Sequence, residues 1–223
     1  MVLTDLDHRL AEAARYAVLQ RLMPFLRHDV AGAMQPVRML FMVLQKRLQS
    51  GEPDVQAIAK NVVSASTLSR QASATCLMAL DWMTAHEDMH VSLRSFIDQA
   101  SALMAVELAG KGLSLVNGIE DDATTASQAF LRSVLMGALL ALCDQHTDGG
   151  ILHVTFIAAA ATTNPAGQVH LRMVAAAAKP AAALQGDVRR YRAIGSPDLL
   201  AMAQSFGVQI TMTPGRITLE LPG

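Results

Sequence analysis

His28 and Asp29 form an adjacent imidazole and carboxylate pair inside an apolar helical pattern. The pattern repeats at alternating steps of three and four residues, which is the a/d spacing of a helix in a bundle. Its members are Met23, Leu26, Val30, Ala33, Val37, Leu40 and Leu44. With Leu26 and Ala33 at heptad position d, His28 falls at position f and faces solvent, and Asp29 falls at g.

A neutral imidazole can accept a phosphoryl group, and a neighbouring carboxylate can hold the second ring nitrogen as N–H so that the free nitrogen attacks. We therefore predict that His28 is a phosphoacceptor and that Asp29 orients its ring. The alternative interpretation is that His28 is an ordinary solvated histidine on a helix surface.

The helix face around His28 carries small or uncharged side chains. Ala31, Gly32 and Gln35 follow it by three, four and seven residues, which places them on the same face. Glycine inside a helix costs about 0.5–1 kcal/mol relative to alanine, so a surface glycine beside the candidate nucleophile suggests a need for close approach. With Arg27 and Arg38, these residues form the predicted partner-binding surface.

The elements that position this pair are long helices. We predict a helix over 4–22, with Thr4 as its N-cap and Asp7 three residues later, and a kink or a restart at Pro24. A second apolar seam runs from Val55 to Ala79 after a Gly51-Glu52-Pro53 loop. The seam around His28 and this second seam predict two helices of roughly 26–30 residues each. Joined by the short loop, they form an antiparallel hairpin roughly 40 Å long. A hairpin cannot bury two apolar stripes alone, so residues 1–85 predict a homodimer that closes a four-helix bundle.

Residues 86–223 have a mixed pattern that predicts an α/β sandwich, and the chain as a whole is predicted to be α+β. Helices are expected over 92–110, 126–146 and 197–206. Strands are expected over 112–117, 151–158 and 168–175, and a terminal hairpin turns at Pro214-Gly215. The alanine-rich stretch 175–183 predicts a loop or a short helix.

Composition excludes several classes of protein. Eighteen basic and nineteen acidic residues give a net charge of −1, which provides no field for binding nucleic acid or an anionic membrane. The first residues do not form a signal peptide and no segment is long and apolar enough to span a bilayer, so we expect a cytoplasmic protein. Cys76 and Cys143 lie in apolar helical patterns and are expected to be core thiols.

No metal site is expected, because five other histidines are scattered without ligand spacing. These are His8, His86, His90, His153 and His170. No nucleotide-binding Walker loop and no Gly-x-Ser-x-Gly nucleophile motif is present either.

The segment from Phe25 to Val30, with its His28-Asp29 pair, resembles the phosphoacceptor box of histidine kinases and of kinase-like histidine phosphotransferases. The segment from Leu135 to Val154 and the end of the chain from Ala201 onward resemble the ATP-binding domain of the same kinases. The resemblance covers nearly the whole chain in the order and spacing of its elements. It implies a helical phosphoacceptor domain followed by an ATPase-like domain. His146 stands at a position where the family often has a histidine, and no function is expected of it here.

The nucleotide-binding motifs of that family are replaced, so the resemblance implies a degenerate ATPase-like domain without a bound cofactor. The replacements are Leu142 for the magnesium-binding asparagine, Ala175 to Ala178 for the adenine-binding turn, and Gly195-Ser196-Pro197-Asp198 for the glycine-rich phosphate loop. An aspartate at a helix N-terminus would repel a phosphate.

Two functions fit these observations. The first is a phosphotransfer protein that relays a phosphoryl group between receiver-domain aspartates through His28. The second is a non-catalytic pseudokinase that binds and regulates a response regulator or a sensor kinase through the same helix face. In both, the implied partners are receiver domains of response regulators, including that of a hybrid sensor kinase. Only the first function requires an imidazole at position 28.

Overall fold

The computed structural model describes residues 4–49, 54–84, 88–120, 122–146, 149–158, 167–175 and 192–221. The chain is α+β, as predicted. It divides into two compact units. We call Leu22–Ala85 the hairpin unit, and Met1–Arg21 with His86–Gly223 the α/β unit.

Helix α1 runs over 44 residues from Asp5 to Leu48. Its start is fixed as the sequence predicts, because the Asp7 amide donates to Thr4 Oγ1 at 3.3 Å and the Thr4 amide donates to Asp7 Oδ2 at 2.8 Å. Pro24 and Pro36 both lie inside this helix. A restart at Pro24 is therefore not found, and strong helix formers on either side carry the helix through the lost hydrogen bond.

Helix α2, Val55–Trp82, begins at Asp54, whose side chain accepts a hydrogen bond from the Ala57 amide at 3.0 Å. The predicted loop at 51–53 lies outside the described residues. Every seventh residue of the α2 seam is buried, at Ala65, Ala72 and Ala79. Part of each predicted seam is thus buried within the single chain.

The α/β unit contains a mixed five-stranded sheet in the order β2-β4-β5-β7-β6. Strands β2 and β4 are parallel, and the other neighbours are antiparallel. The strands are β2 Leu113–Asn117, β4 Gly150–Ala158, β5 Gly167–Ala175, β6 Ile210–Thr213 and β7 Arg216–Leu221. Each lies within two residues of its predicted position, and Gly215, with φ of +69°, makes the turn of the predicted β6–β7 hairpin.

Helices of the α/β unit supply the rest of its core. Helix α3 is Leu93–Gly110, and the predicted helix over 126–146 consists of α4 Gln128–Phe130, one π-helical turn Leu131–Leu135 and α5 Met136–Gln145. Helix α6 is Ser196–Ser205. The helix predicted over 126–146 begins only at Gln128. The preceding residues Thr125–Ser127 form strand β3, which pairs with strand β1, His90–Ser92, in a small sheet that the sequence did not predict.

The first part of α1, up to Arg21, belongs to the α/β unit, whereas the sequence predicted that residues 1–85 form one helical domain. Arg21 is buried and donates to Glu107 of α3 and, at 2.8 Å, to Asp144 of α5. Nearer the start of α1, Arg15 donates to Ser205 Oγ at 2.7 Å. These contacts join α1 to three other helices of the unit.

Candidate functional site

His28 lies in the middle of α1 with its side chain 70% exposed, as its heptad position predicts. Its Nδ1 lies 3.4 Å from Oδ1 of Asp29, whose side chain is 39% exposed. The distance fits a weak hydrogen bond. The carboxylate thus faces Nδ1, which leaves Nε2 as the nitrogen available to a reagent from solvent.

The predicted contact residues lie on the exposed surface of the same helix. Ala31, Gly32 and Gln35 are exposed, and a Cβ added at Gly32 would meet no atom within 4 Å. Arg27 and Arg38 are also exposed. The structure therefore places all of the predicted site residues on one helix, where their spacing of three and four residues brings them to neighbouring positions.

The position that the resemblance assigns to the magnesium-binding asparagine holds Leu142, which is completely buried in α5. His146 follows at the end of that helix, with its Nδ1 2.9 Å from the Leu142 carbonyl oxygen. Ala175 ends strand β5, and residues 176–178, which complete the predicted loss of the adenine-binding turn, lie outside the described residues.

The N-terminus of α6 is occupied by a carboxylate of the chain itself. The Gly195 amide donates to Asp198 Oδ2 at 2.9 Å. Arg192 binds both carboxylate oxygens of Asp198, at 2.6 and 2.7 Å. Partial burial alone would raise the pKa of Asp198, but the hydrogen bonds from Arg192 and the Gly195 amide outweigh it and lower the pKa. Asp198 thus stays ionised and takes a backbone donor that an anion would otherwise use.

Two charged clusters were not found by sequence reasoning. The first joins Arg21, Glu107, Lys111 and Asp144, with Lys111 Nζ at 2.8 Å from Glu107 and 2.9 Å from Asp144. Burial lowers the pKa of Lys111, but hydrogen bonds to Glu107 and Asp144 outweigh this and raise it. The sequence shows these residues as isolated charges within apolar helices, and it does not indicate which of them form ion pairs.

The second cluster lies on the sheet, where His153 and His170, scattered in the sequence, line one cavity together with Arg172 and Arg216. Alternation along the strands could have placed each residue on a face, but the strand order was needed to bring them together.

Cys143 is a buried core thiol, as expected, whereas Cys76 is only partly buried; both lie in helices and are free of disulfides. Burial raises the pKa of the Cys143 thiol to about 12, so it is an inert core group. Within the described ranges, no three histidine, cysteine or acidic side chains are grouped closely enough to hold a metal ion. Nor does any helix in the described part of the chain have the length and apolar character needed to cross a membrane.

Comparison with known proteins finds similar solved structures. No family model matches the chain, and no curated protein matches it in sequence. The histidine kinase AdeS of Acinetobacter baumannii is 12% identical over 84% of this chain and 96% of its own, with a TM-score of 0.41. The cytoplasmic segment of the histidine kinase QseC is 10% identical over 72% and 93%, with a TM-score of 0.41. A bacterial phosphotransferase is 14% identical over 98% and 97%, with a TM-score of 0.38.

Proposed function

We propose that this chain is a histidine phosphotransfer protein of two-component signalling, in which His28 carries the phosphoryl group between receiver-domain aspartates. The observation that carries the proposal is the pairing of an exposed imidazole with a carboxylate 3.4 Å from its Nδ1. An ordinary solvent-exposed histidine on a helix needs no neighbouring group that holds one of its ring nitrogens in a hydrogen bond.

The chemical step follows from that geometry. Asp29 accepts a hydrogen bond from the Nδ1–H of neutral His28, so the Nε2 lone pair is free to attack phosphorus. The bond between phosphorus and the acyl oxygen of the receiver's phosphoaspartate breaks as the bond from Nε2 forms, and the receiver carboxylate leaves with the electron pair. The phosphoimidazole that results is positively charged at the ring, and the Asp29 carboxylate stabilises it. Transfer to a second receiver reverses each change.

The surface around His28 supports close approach of a receiver domain. Gly32 and Ala31 leave the imidazole without bulky neighbours on the C-terminal side of its helix face, and Gln35 offers an amide one further turn along. Arg27 and Arg38 are exposed cations that suit an acidic partner surface. This charge pattern is what a receiver domain, with its acidic phosphorylation site, would require.

We further propose that the hairpin unit forms a homodimer, because much of its apolar surface is left exposed. Met34 and Leu77 line a cavity of about 340 Å³ together with Val37 and Ala72, yet the first two side chains are 48% and 66% exposed. Further exposed apolar residues of the unit are Met39, Phe41, Met42, Val43, Leu48, Val55, Val62, Val63, Met78, Leu80 and Met83. A second hairpin that packs against this unit would remove part of these side chains from water.

We also propose that the phosphoryl group on His28 does not come from ATP. The buried Leu142 offers no oxygen to magnesium, and Asp198 both fills and charges the end of α6 where a phosphate would bind. Calorimetry with Mg-ATP tests this. We expect a dissociation constant weaker than about 100 µM, which corresponds to about 5.5 kcal/mol, and tighter binding would contradict it.

The main experiment is incubation of the purified protein with a panel of phosphorylated receiver domains, followed by detection of acid-labile label on the chain. Transfer from at least one receiver to wild type and not to His28→Gln supports the proposal. If no receiver labels the wild type while at least one binds it, the chain is instead a non-catalytic module that regulates its partner.

A further inference from the structure

One face of the five-stranded sheet is buried and the opposite face carries basic residues. On the buried face lie Leu152, Leu171 and Ile217. Along each strand the next residue points the other way, so His153, Arg172 and Arg216 share the opposite face.

These three basic residues form one row across three neighbouring strands. His153 of β4 is directly opposite Arg172 of β5, and Arg172 is directly opposite Arg216 of β7. Adjacent strands are about 4.8 Å apart, so the row spans only about 10 Å between its outer strands. Two arginines at directly opposed positions repel each other and destabilise a sheet. Neither belongs to an ion pair within the part of the chain that the structure describes.

The row borders a cavity of about 480 Å³. His170 lies on the same face of the sheet, two residues before Arg172 on β5, and it also lines the cavity. Its Nδ1 lies 3.1 Å from Thr218 Oγ1, and its buried Nε2 has no hydrogen-bond partner among the described residues. A buried ring nitrogen without a partner costs free energy unless a ligand or water meets it. Thr155 adds a hydroxyl to the cavity lining, and Val174 adds an apolar wall.

None of the described residues that line this cavity is acidic. On the same face, Glu220 lies further along β7 and accepts a hydrogen bond from Gln168 Nε2 at 3.4 Å. The residues that line the cavity therefore include two arginines, two histidines and a threonine, and its volume is typical of small-molecule sites.

We propose that this sheet face is a binding site for a small phosphate-bearing molecule, whose dianionic phosphate lies between Arg172 and Arg216. Guanidinium groups bind phosphate oxygens through two parallel hydrogen bonds, and a dianion between them replaces their repulsion with attraction. The compact row matches one phosphate better than an extended acidic chain, which would need cations spread along its length. The site does not involve His28, so it is independent of the proposed phosphotransfer.

Titration calorimetry with inorganic phosphate, at low and constant ionic strength, tests the site. We expect the whole chain to bind phosphate with a dissociation constant of about 1 mM or tighter. Arg172→Gln and Arg216→Gln should each weaken binding about tenfold or more, because each removes charged hydrogen bonds. Arg70→Gln is the matched control: it removes the same charge from an exposed position on α2 and should leave the affinity unchanged. Both site arginines are exposed, so the variants should keep the wild-type circular dichroism spectrum.

Each of the following results would overturn the proposal. The first is an absence of phosphate binding up to about 10 mM, or an equal loss of affinity in Arg70→Gln. The second is tighter binding of a hexaglutamate peptide than of phosphate, which would assign the face to an acidic protein segment. The third is binding to phosphatidylcholine vesicles that contain phosphatidic acid without binding to free phosphate, which would assign it to a lipid surface.

Discussion

The Nδ1 atom of His28 lies 3.4 Å from Oδ1 of Asp29, and this contact forms between neighbours on one helix rather than across two elements. The carboxylate is therefore in place before any partner arrives. Since the His28 side chain is 70% exposed, its chemistry and its contribution to stability can be separated by substitution.

His28→Gln should abolish labelling by every phosphorylated receiver while the melting temperature changes by less than about 2 °C. A solvated side chain contributes little packing. Label transfer and calorimetric unfolding measure the two effects. His8→Gln, at another exposed position of α1, should keep both properties, and full labelling of His28→Gln would place the phosphoryl group on another histidine.

Asp29→Asn should slow transfer about tenfold or more without abolishing it, which corresponds to a barrier increase of about 1.4 kcal/mol or more. The amide oxygen can still accept the Nδ1–H bond, but it cannot stabilise a positive ring. Rapid-quench measurement of label transfer gives the rate. Asp5→Asn, at an exposed carboxylate near the start of the same helix, is the control, and an unchanged rate in Asp29→Asn would remove Asp29 from the mechanism.

Gly32→Arg should block receiver binding and yet stabilise the helix. The position is open, with no atom within 4 Å of an added Cβ, and replacing a helical glycine by a better helix former contributes about 0.5–1 kcal/mol. Gly32→Ala should stabilise to a similar extent and keep transfer. Denaturant unfolding and label transfer measure the two properties, and undiminished transfer in Gly32→Arg would move the docking surface elsewhere.

Leu77→Glu should convert the proposed dimer to a monomer without loss of helix content, since the side chain is 66% exposed in the single chain. Burying an unpaired carboxylate in an apolar dimer interface costs several kcal/mol. Sedimentation equilibrium at micromolar concentration gives the mass. Val106→Glu, at a position of α3 that is 64% exposed, should leave the dimer intact. A monomeric wild type would contradict the proposed bundle.

Asp198→Asn should destabilise the protein at neutral pH, by at most about 1 kcal/mol because Arg192 is largely exposed. The pKa of Asp198 is lower in the folded protein than its ordinary value, so its contribution is complete above the unfolded pKa of about 3.9. That contribution is lost as the pH falls through the folded pKa. Unfolding curves of the two proteins should therefore differ at pH 7, begin to converge below about pH 4 and meet only below the lowered pKa of Asp198. A difference that persists in acid would mean that the ion pair is not its source.

The sequence by itself determined most of the helices and strands and the exposure of His28. Both depend on local periodicity, because spacing of three and four residues sets a helix face and alternation sets a strand face. This is why α3, α6 and all five strands of the large sheet lie close to their predicted positions. Local preference also has limits, as α1 continues through Pro24 where a restart was one of two expectations.

Only the tertiary structure decided which distant residues meet. Arg21 reaches Glu107 and Asp144 across 86 and 123 positions of sequence, and this cluster joins α1 to α3 and α5 within the α/β unit. Likewise Arg172 and Arg216 become neighbours only because β5 pairs with β7. Such contacts depend on strand order and helix packing, which are set by burial of the whole core and not by the residues near each partner in the chain.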